Sequence, residues 1–268
     1  MYLLLLLFGC LAGVTTVLFG FGGGFVVVPL LYVMLMATHG AGTVVGQNAM
    51  HVAVATSTCV MIFGASLATL RHQRAGTVIW QEVRPLLIYV ALGAMLGAAA
   101  AISLSGAWVR WAFVVYLAIT ILDAVLRPGF MGEASAPIRP MGRWTTAAVG
   151  VGIGAVAALL GVGGSVMTVP LMRRRGANMS AATAMANPLS LPMALAGTAT
   201  YVLLSWHATP LGAGYAGYVD LWAFLVLALG SWLGIRLAAP WIGRIPDRLH
   251  AQVYLLLLST VLMTMVMV

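Results

Sequence analysis

The sequence predicts an all-α, polytopic membrane protein of about eight to ten transmembrane or half-spanning helices in two inverted repeats. Three observations carry that reading: the composition, the recurrence of long apolar runs, and a glycine-rich motif that occurs twice. Of 268 residues, 62% are hydrophobic and 7% charged, and the mean hydropathy is +1.06. Soluble domains hold roughly 45–50% apolar and 25% charged residues. Soluble enzymes, nucleic-acid-binding modules and disordered linkers are thereby excluded. Runs such as 2–7 and 253–258 are apolar on every side, whereas a membrane barrel would alternate polarity along each strand.

Ten hydrophobic elements follow in order: about 2–19, 25–38, 44–70, 85–102, 107–126, 143–160, 165–172, 180–204, 219–239 and 250–267. The first starts Met-Tyr-Leu-Leu-Leu, with no basic stretch before it and no small-residue cleavage site after it, and reads as a retained helix. The segments 25–38 and 165–172 would extend only about 21 Å and 12 Å as helices, against a hydrocarbon core of about 30 Å. They read as half-spanning or re-entrant pieces.

All thirteen basic residues are arginine. Threading the ten elements alternately places twelve of them, all but Arg110, at one face, including Arg71, Arg74, Arg84, Arg127, Arg139, Arg143, Arg173, Arg174, Arg175, Arg236, Arg244 and Arg248. By the positive-inside rule that face is cytoplasmic and both termini lie outside. Trp80, Trp108, Trp144, Trp206, Trp222 and Trp241 fall at predicted helix ends, where interfacial anchors belong. Cys10 and Cys59 lie inside apolar segments without pairing or metal spacing and read as packing residues.

The stretch from Arg127 to Arg143 is rich in proline and glycine and separates the chain into a first membrane repeat at 1–127, a cytoplasmic linker at 128–142 and a second repeat at 143–268. Across it, Gly20-Phe-Gly-Gly-Gly-Phe-Val-Val-Val-Pro29-Leu30 recurs as Gly161-Val-Gly-Gly-Ser-Val-Met-Thr-Val-Pro170-Leu171, at an offset of 141. Leu92-Gly93 to Gly97 is echoed by Leu229-Gly230 to Gly234, and Gly76-Thr-Val by Gly217-Tyr-Val. Each half holds five elements, an odd number, so equivalent folds must sit with opposite orientation, as in secondary transporters.

The paired turns are the most informative feature. Gly20, Gly22, Gly23 and Gly24, and in the second half Gly161, Gly163, Gly164 and Ser165, each lead into a short segment interrupted by Pro29 or Pro170. Glycine permits positive φ and close backbone approach, and the N–H groups that open the next helix form a place for an anion. Two accounts compete: a substrate pathway, or tight helix crossing of the kind small residues allow in any bundle. Recurrence in both halves favours the pathway. No Walker fingerprint is possible in a chain without lysine.

The two Gly-x-Gly-Gly-[Gly/Ser]-x-x-x-x-Pro-Leu motifs, with Ala55-Thr56-Ser57 and Leu70-Arg71-His72 ahead of Gly76, resemble the sulfite exporter TauE/SafE family, also called the toluene sulfonate uptake permeases. The resemblance covers nearly the whole chain. It implies an inner-membrane carrier for sulfur-containing anions such as sulfite or organosulfonates, and a gating or recruiting role for Arg71 and His72. The second half departs from the pattern: Ala184-Met185-Ala186, followed by Asn187-Pro188, stands where a Gly-Thr-Ser is expected.

Further polar chemistry lies on the third and eighth elements. Asn48, His51, Thr56, Ser57 and Thr58 crowd the third, while Ser180, Thr183, Asn187 and Ser190 share one face of the eighth. Hydroxyls and amides can hold a sulfur oxyanion without a buried fixed charge, and the alternative is hydrogen bonding between helices. Asn187-Pro188 and Pro192 are expected to break the eighth helix near its middle. His51 is an intramembrane ionisable group, either a proton-coupling residue or a packed one. Asp123 is expected to pair with Arg127 at i,i+4, and Arg173 to Arg175 either recruit anions or anchor the chain. The partners expected are a small sulfur-containing anion, membrane lipids, coupled protons and a second copy of the chain. No cofactor, metal or nucleic acid is expected, and the chain offers no constellation for an enzyme. A channel and a non-transporting membrane subunit are the remaining alternatives.

Overall fold

The computed structural model describes residues 2–126, 138, 140–206 and 211–267. Among the described residues the chain is a helical bundle with one hairpin of two two-residue strands. Its elements are α1 (Tyr2–Phe19), α2 (Gly24–His39), α3 (Val44–Gln47), α4 (Ala49–Arg74), α5 (Trp80–Val83), α6 (Leu87–Ser103), α7 (Gly106–Leu126), α8 (Arg143–Leu160), α9 (Ser165–Arg174), α10 (Met179–Ser205), α11 (Leu221–Ala238) and α12 (Asp247–Met267). Eight stretches among the described residues are long and apolar enough to cross a membrane, with α5 and α6 counted as one. The other two apolar elements are shorter: α2 has 16 residues and α9 has 10, about 24 Å and 15 Å of helix. Each follows a glycine turn, and α2 packs chiefly on α4 as α9 packs chiefly on α10. Most of the expected linker, with Arg127 and Arg139, lies outside the described residues.

Small residues set the packing. α1 runs parallel to α11, with Gly9 and Gly13 on the backbone at Leu227 and Ser231, and Gly230 and Gly234 on the carbonyls of Leu6 and Cys10. α8 runs parallel to α6 in the same way, through Gly93 and Gly97 against Val151 and Ala155, and Gly154 against Val90. Lipid tails are as apolar as leucine, so close backbone approach and its van der Waals contact drive such pairing. The contacts are repeated between halves: α2 lies on α4 as α9 lies on α10, and α4 meets α11 as α10 meets α6. α4 and α10 cross at the centre.

The expected break in the eighth element does not occur. α10 continues through Pro188 and Pro192 as one helix of 27 residues. Each proline removes an N–H that would have bonded four residues back, but α4, α6 and α9 pack against this stretch and hold it helical. Pro29 and Pro170 likewise sit inside α2 and α9 without ending them.

One end of the bundle is tied by ion pairs. Arg173 donates to Asp247 at 2.7 Å, Arg175 to Glu82 at 2.5 Å, and Arg174 to Asp123. The triplet therefore clamps the end of α9 to α12, to α5 and to α7, rather than offering three uncommitted cations. Asp123, expected to pair along its own helix, reaches across to α9; Arg127 falls outside the described residues. At the opposite end Tyr215–Ala216 pairs antiparallel with Val219–Asp220. There burial, and then the Asp220 carboxylate, push the Tyr215 phenol up to about 12.

Candidate functional site

The two glycine turns meet. After α1 the chain reverses through Gly22 and Gly23, both at positive φ (66° and 88°), a conformation that costs other residues about 1–2 kcal/mol. The turn from α8 passes through Gly161, whose φ of 67° ends that helix in the left-handed region. A Cβ on Gly163 would lie 2.5 Å from the Phe21 carbonyl oxygen, and one on Gly24 would collide with the Gly161 carbonyl. Met61, at the middle of α4, closes over Gly22 and Gly24. The crossing therefore sits near mid-depth of the longest buried helix of the first half.

The surroundings of the two turns correspond residue by residue. Gly161 rests on Val54, with Ser57 donating to its carbonyl at 2.9 Å. Gly20 rests on Thr183, with Ala186 beside it: a Cβ there would lie 2.8 Å from the Thr183 carbonyl oxygen and 3.0 Å from the Ala186 methyl. Both pairs of neighbours obey the offset of 129 between α4 and α10.

Donors distinguish the site. Gly22, Gly23, Gly163, Gly164 and Ser165 are buried, and among the described residues no backbone carbonyl accepts their N–H groups. Buried amides without an acceptor are rare, because each forfeits its hydration. The hydroxyls of Ser165 and Thr168 and the Asn187 Oδ1 are also buried without a partner. Two turns and one facing helix thus bring unanswered polar atoms to the centre of an apolar bundle.

The other predicted residues divide. Thr58, Thr183 and Ser190 donate to their own helices, at Val54, Met179 and Ala186, and the Asn187 amide donates to the Thr183 carbonyl at 3.4 Å. Their donors are therefore spent locally. Thr56 accepts from the Asp220 N–H at 2.9 Å, which ties α4 to the start of α11. Asn48 caps α3 by donating to Val44. His51 shares Nε2 between the carbonyls of Ala101 and Leu104 at 3.1 and 3.0 Å, and stacks on Tyr218. Asn48 and His51 precede Val54 by six and three residues and make these bonds toward the hairpin end.

His72 is buried at the Arg-rich end, bonded through Nδ1 to Thr77 at 2.8 Å and through Nε2 to the Val17 carbonyl at 2.7 Å. His250, from α12, does the same for the next carbonyl, Leu18, at 2.7 Å. Two imidazoles thus hold the last turn of α1 just before the glycines. Between them, with Thr183, lies a cavity of about 10 Å³, room for a single water. Arg71 is half-buried beside them and faces another concavity.

Sequence reasoning missed three contributors. Met61 covers the first turn. Phe21 stacks on Phe25 and on Tyr254, at 4.5 and 4.9 Å between ring centres. Tyr254 then donates to the Ser165 carbonyl at 3.3 Å, so one side chain of α12 touches both turns. A tyrosine inside the apolar run of α12 was a visible signal, since a buried phenol needs a partner. Among the described residues no cluster of three or more metal-ligating side chains forms.

Eight apolar spans around a buried crossing of two helix-interrupting turns define a polytopic helical membrane protein of the transporter class. The chain belongs to the Sulfite exporter TauE/SafE family, whose profile matches residues 5–265. It is similar to a probable membrane transporter protein of Haemophilus influenzae, 27% identical over 248 residues that make up 91% of this chain and 90% of the relative. It is also similar to the probable membrane transporter protein YunE of Bacillus subtilis, 27% identical over 257 residues, 89% of this chain and 87% of that one. No solved structure matches it. The protein is a membrane transporter of the TauE/SafE type.

Proposed function

We propose that this transporter carries a small sulfur oxyanion, sulfite or an organosulfonate, and binds it at the crossing of the two glycine turns. The observation that carries the reading is the set of buried N–H groups at Gly22, Gly23, Gly163, Gly164 and Ser165 that no backbone carbonyl answers. Preorganised amides suit an oxyanion, and the absence of a fixed cation there lets the ligand leave. Ser165 and Thr168 add two hydroxyls with no other partner.

The repeated contacts of α1 with α11 and of α8 with α6 support an inverted-repeat carrier that rocks about its centre. With α1 and α2 forming one hairpin and α8 and α9 the other, the Arg-rich end faces the cytoplasm and both outermost helix ends lie outside. On this reading His72 and His250, bonded to the last turn of α1, form the closure of the cytoplasmic side.

The test is uptake of radiolabelled sulfite and of a small sulfonate into proteoliposomes, with the wild type, Ser165→Ala and a Gly23→Leu, Gly164→Leu double variant. Saturable flux that shows counter-exchange, weakened about tenfold in apparent affinity by Ser165→Ala and abolished in the folded double variant, is the expected result. Flux of neither anion, or flux indifferent to all three substitutions, overturns the reading. Linear, non-exchanging flux makes the protein a channel instead. Repeating the uptake with and without an imposed pH gradient reads proton coupling directly.

A further inference from the structure

The Arg-rich end carries a second concavity that the glycine crossing does not use. Arg71 and Arg74, in the last turns of α4, and Arg236, near the end of α11, line a cavity of about 380 Å³ with Pro240 and Ile242. None of these three guanidinium groups makes a hydrogen bond or ion pair among the described residues. Among the described residues the acids are engaged elsewhere: Glu82 by Arg175, Asp123 by Arg174, Asp247 by Arg173, and Asp220 as the cap of α11 at the other end. Arg236 instead lies over the Trp232 ring, 4.7 Å from its centre. That stacking holds the guanidinium and leaves its in-plane N–H donors available.

Three like charges from two helices far apart in sequence thus converge on one concavity with no carboxylate among the described residues that line it. Their mutual repulsion falls when an anion enters. The positive-inside bias accounts for arginines at this end of the bundle, but not for three of them sharing a cavity. The equivalent positions of the other half are Thr200, Leu203 and Ala99 by the offsets of 129 and 137, so the charge cluster is not repeated. We propose that this cavity binds an oxyanion through the forked N–H donors of Arg71, Arg74 and Arg236. The ligand chemistry is that of a dissolved sulfite, sulfate or phosphate ion, or of the phosphate in an anionic lipid headgroup. Ile242 also lines the small cavity between His72 and His250, which places a dissolved anion at the entrance of the line toward Gly20. That placement rests on the transport reading; the binding does not.

The experiment is calorimetric titration of the full-length protein in zwitterionic detergent with sodium sulfate, sodium sulfite and short-chain phosphatidylglycerol in turn. Arg71→Gln and Arg236→Gln each weaken binding about tenfold or more. Arg244→Gln, at the same end but outside the cavity, leaves this binding unchanged. An arginine-dependent response to sulfate assigns the dissolved ion; the same dependence with phosphatidylglycerol alone assigns the lipid. Absence of binding by every probe, or equal losses in Arg244→Gln, overturns the proposal. Arg74→Gln, at an exposed position, carries the test if Arg71→Gln does not fold. Flux failure with intact arginine-dependent binding would refute only the transport reading, and the converse would refute only this cavity.

Discussion

The two glycine turns share a motif but differ in backbone and chemistry: Gly20 and Gly161 both take positive φ, whereas Gly22 and Gly23 do and their counterparts Gly163 and Gly164 do not. In the first, positions 22–24 are all glycine; in the second, Ser165 takes the place of Gly24 and Thr168 that of Val27. The reason for one difference is steric, since a side chain at 24 would strike the Gly161 carbonyl. The helices beside the turns invert the pattern. Ser57 answers the Gly161 carbonyl from α4, whereas its counterpart Ala186 offers only a methyl to Gly20. The repeat thus brings the two turns into contact and distributes hydroxyls unequally around them. Both turns bring amides to the crossing, and their side chains differ.

The largest effect on that comparison comes from breaking the interlock. Gly163→Val places a branched side chain against the Phe21 carbonyl, which cannot move without displacing the first turn. A loss of about 3 kcal/mol or more is expected, seen as a collapse of the thermal unfolding midpoint or of monodisperse protein. An intermediate effect separates the two helices that flank the crossing. Ser57→Ala leaves the buried Gly161 carbonyl without its donor and costs about 1–2 kcal/mol, whereas Ala186→Ser changes stability by less than about 0.5 kcal/mol because no carbonyl there has lost a donor. Equal losses in both would erase the asymmetry. The smallest effect is that of Tyr254→Phe, which keeps the stack on Phe21 and removes one hydrogen bond to Ser165. It should lower stability by about 1 kcal/mol or less, measured by the same melts.

Much of this was legible in the sequence. The elements at 2–19, 107–126 and 143–160 agree with α1, α7 and α8 to within a residue, because apolar runs of bilayer length have few alternatives to helix. The repeat at an offset of 141 correctly picked out the two turns that touch. What misled the reading was local logic applied where packing decides. Pro188 and Pro192 signal a break in isolation, yet α10 is held helical from three sides. Spacing along α7 also could not show that the Asp123 carboxylate reaches Arg174 of α9, two helices further along the chain. The stripe of Thr183, Asn187 and Ser190 is polar in sequence, yet its donors turn back onto α10.

By itself the sequence determined that the chain lives in a membrane, that arginines collect at one end, and that two halves repeat a glycine turn, because composition and periodicity act locally and additively. Only the tertiary structure decided which amides at those turns lack acceptors, which arginines are spent on carboxylates and which face a cavity. Those are questions of where distant groups come to rest, and in an apolar bundle the answer is set by which helices can approach backbone to backbone.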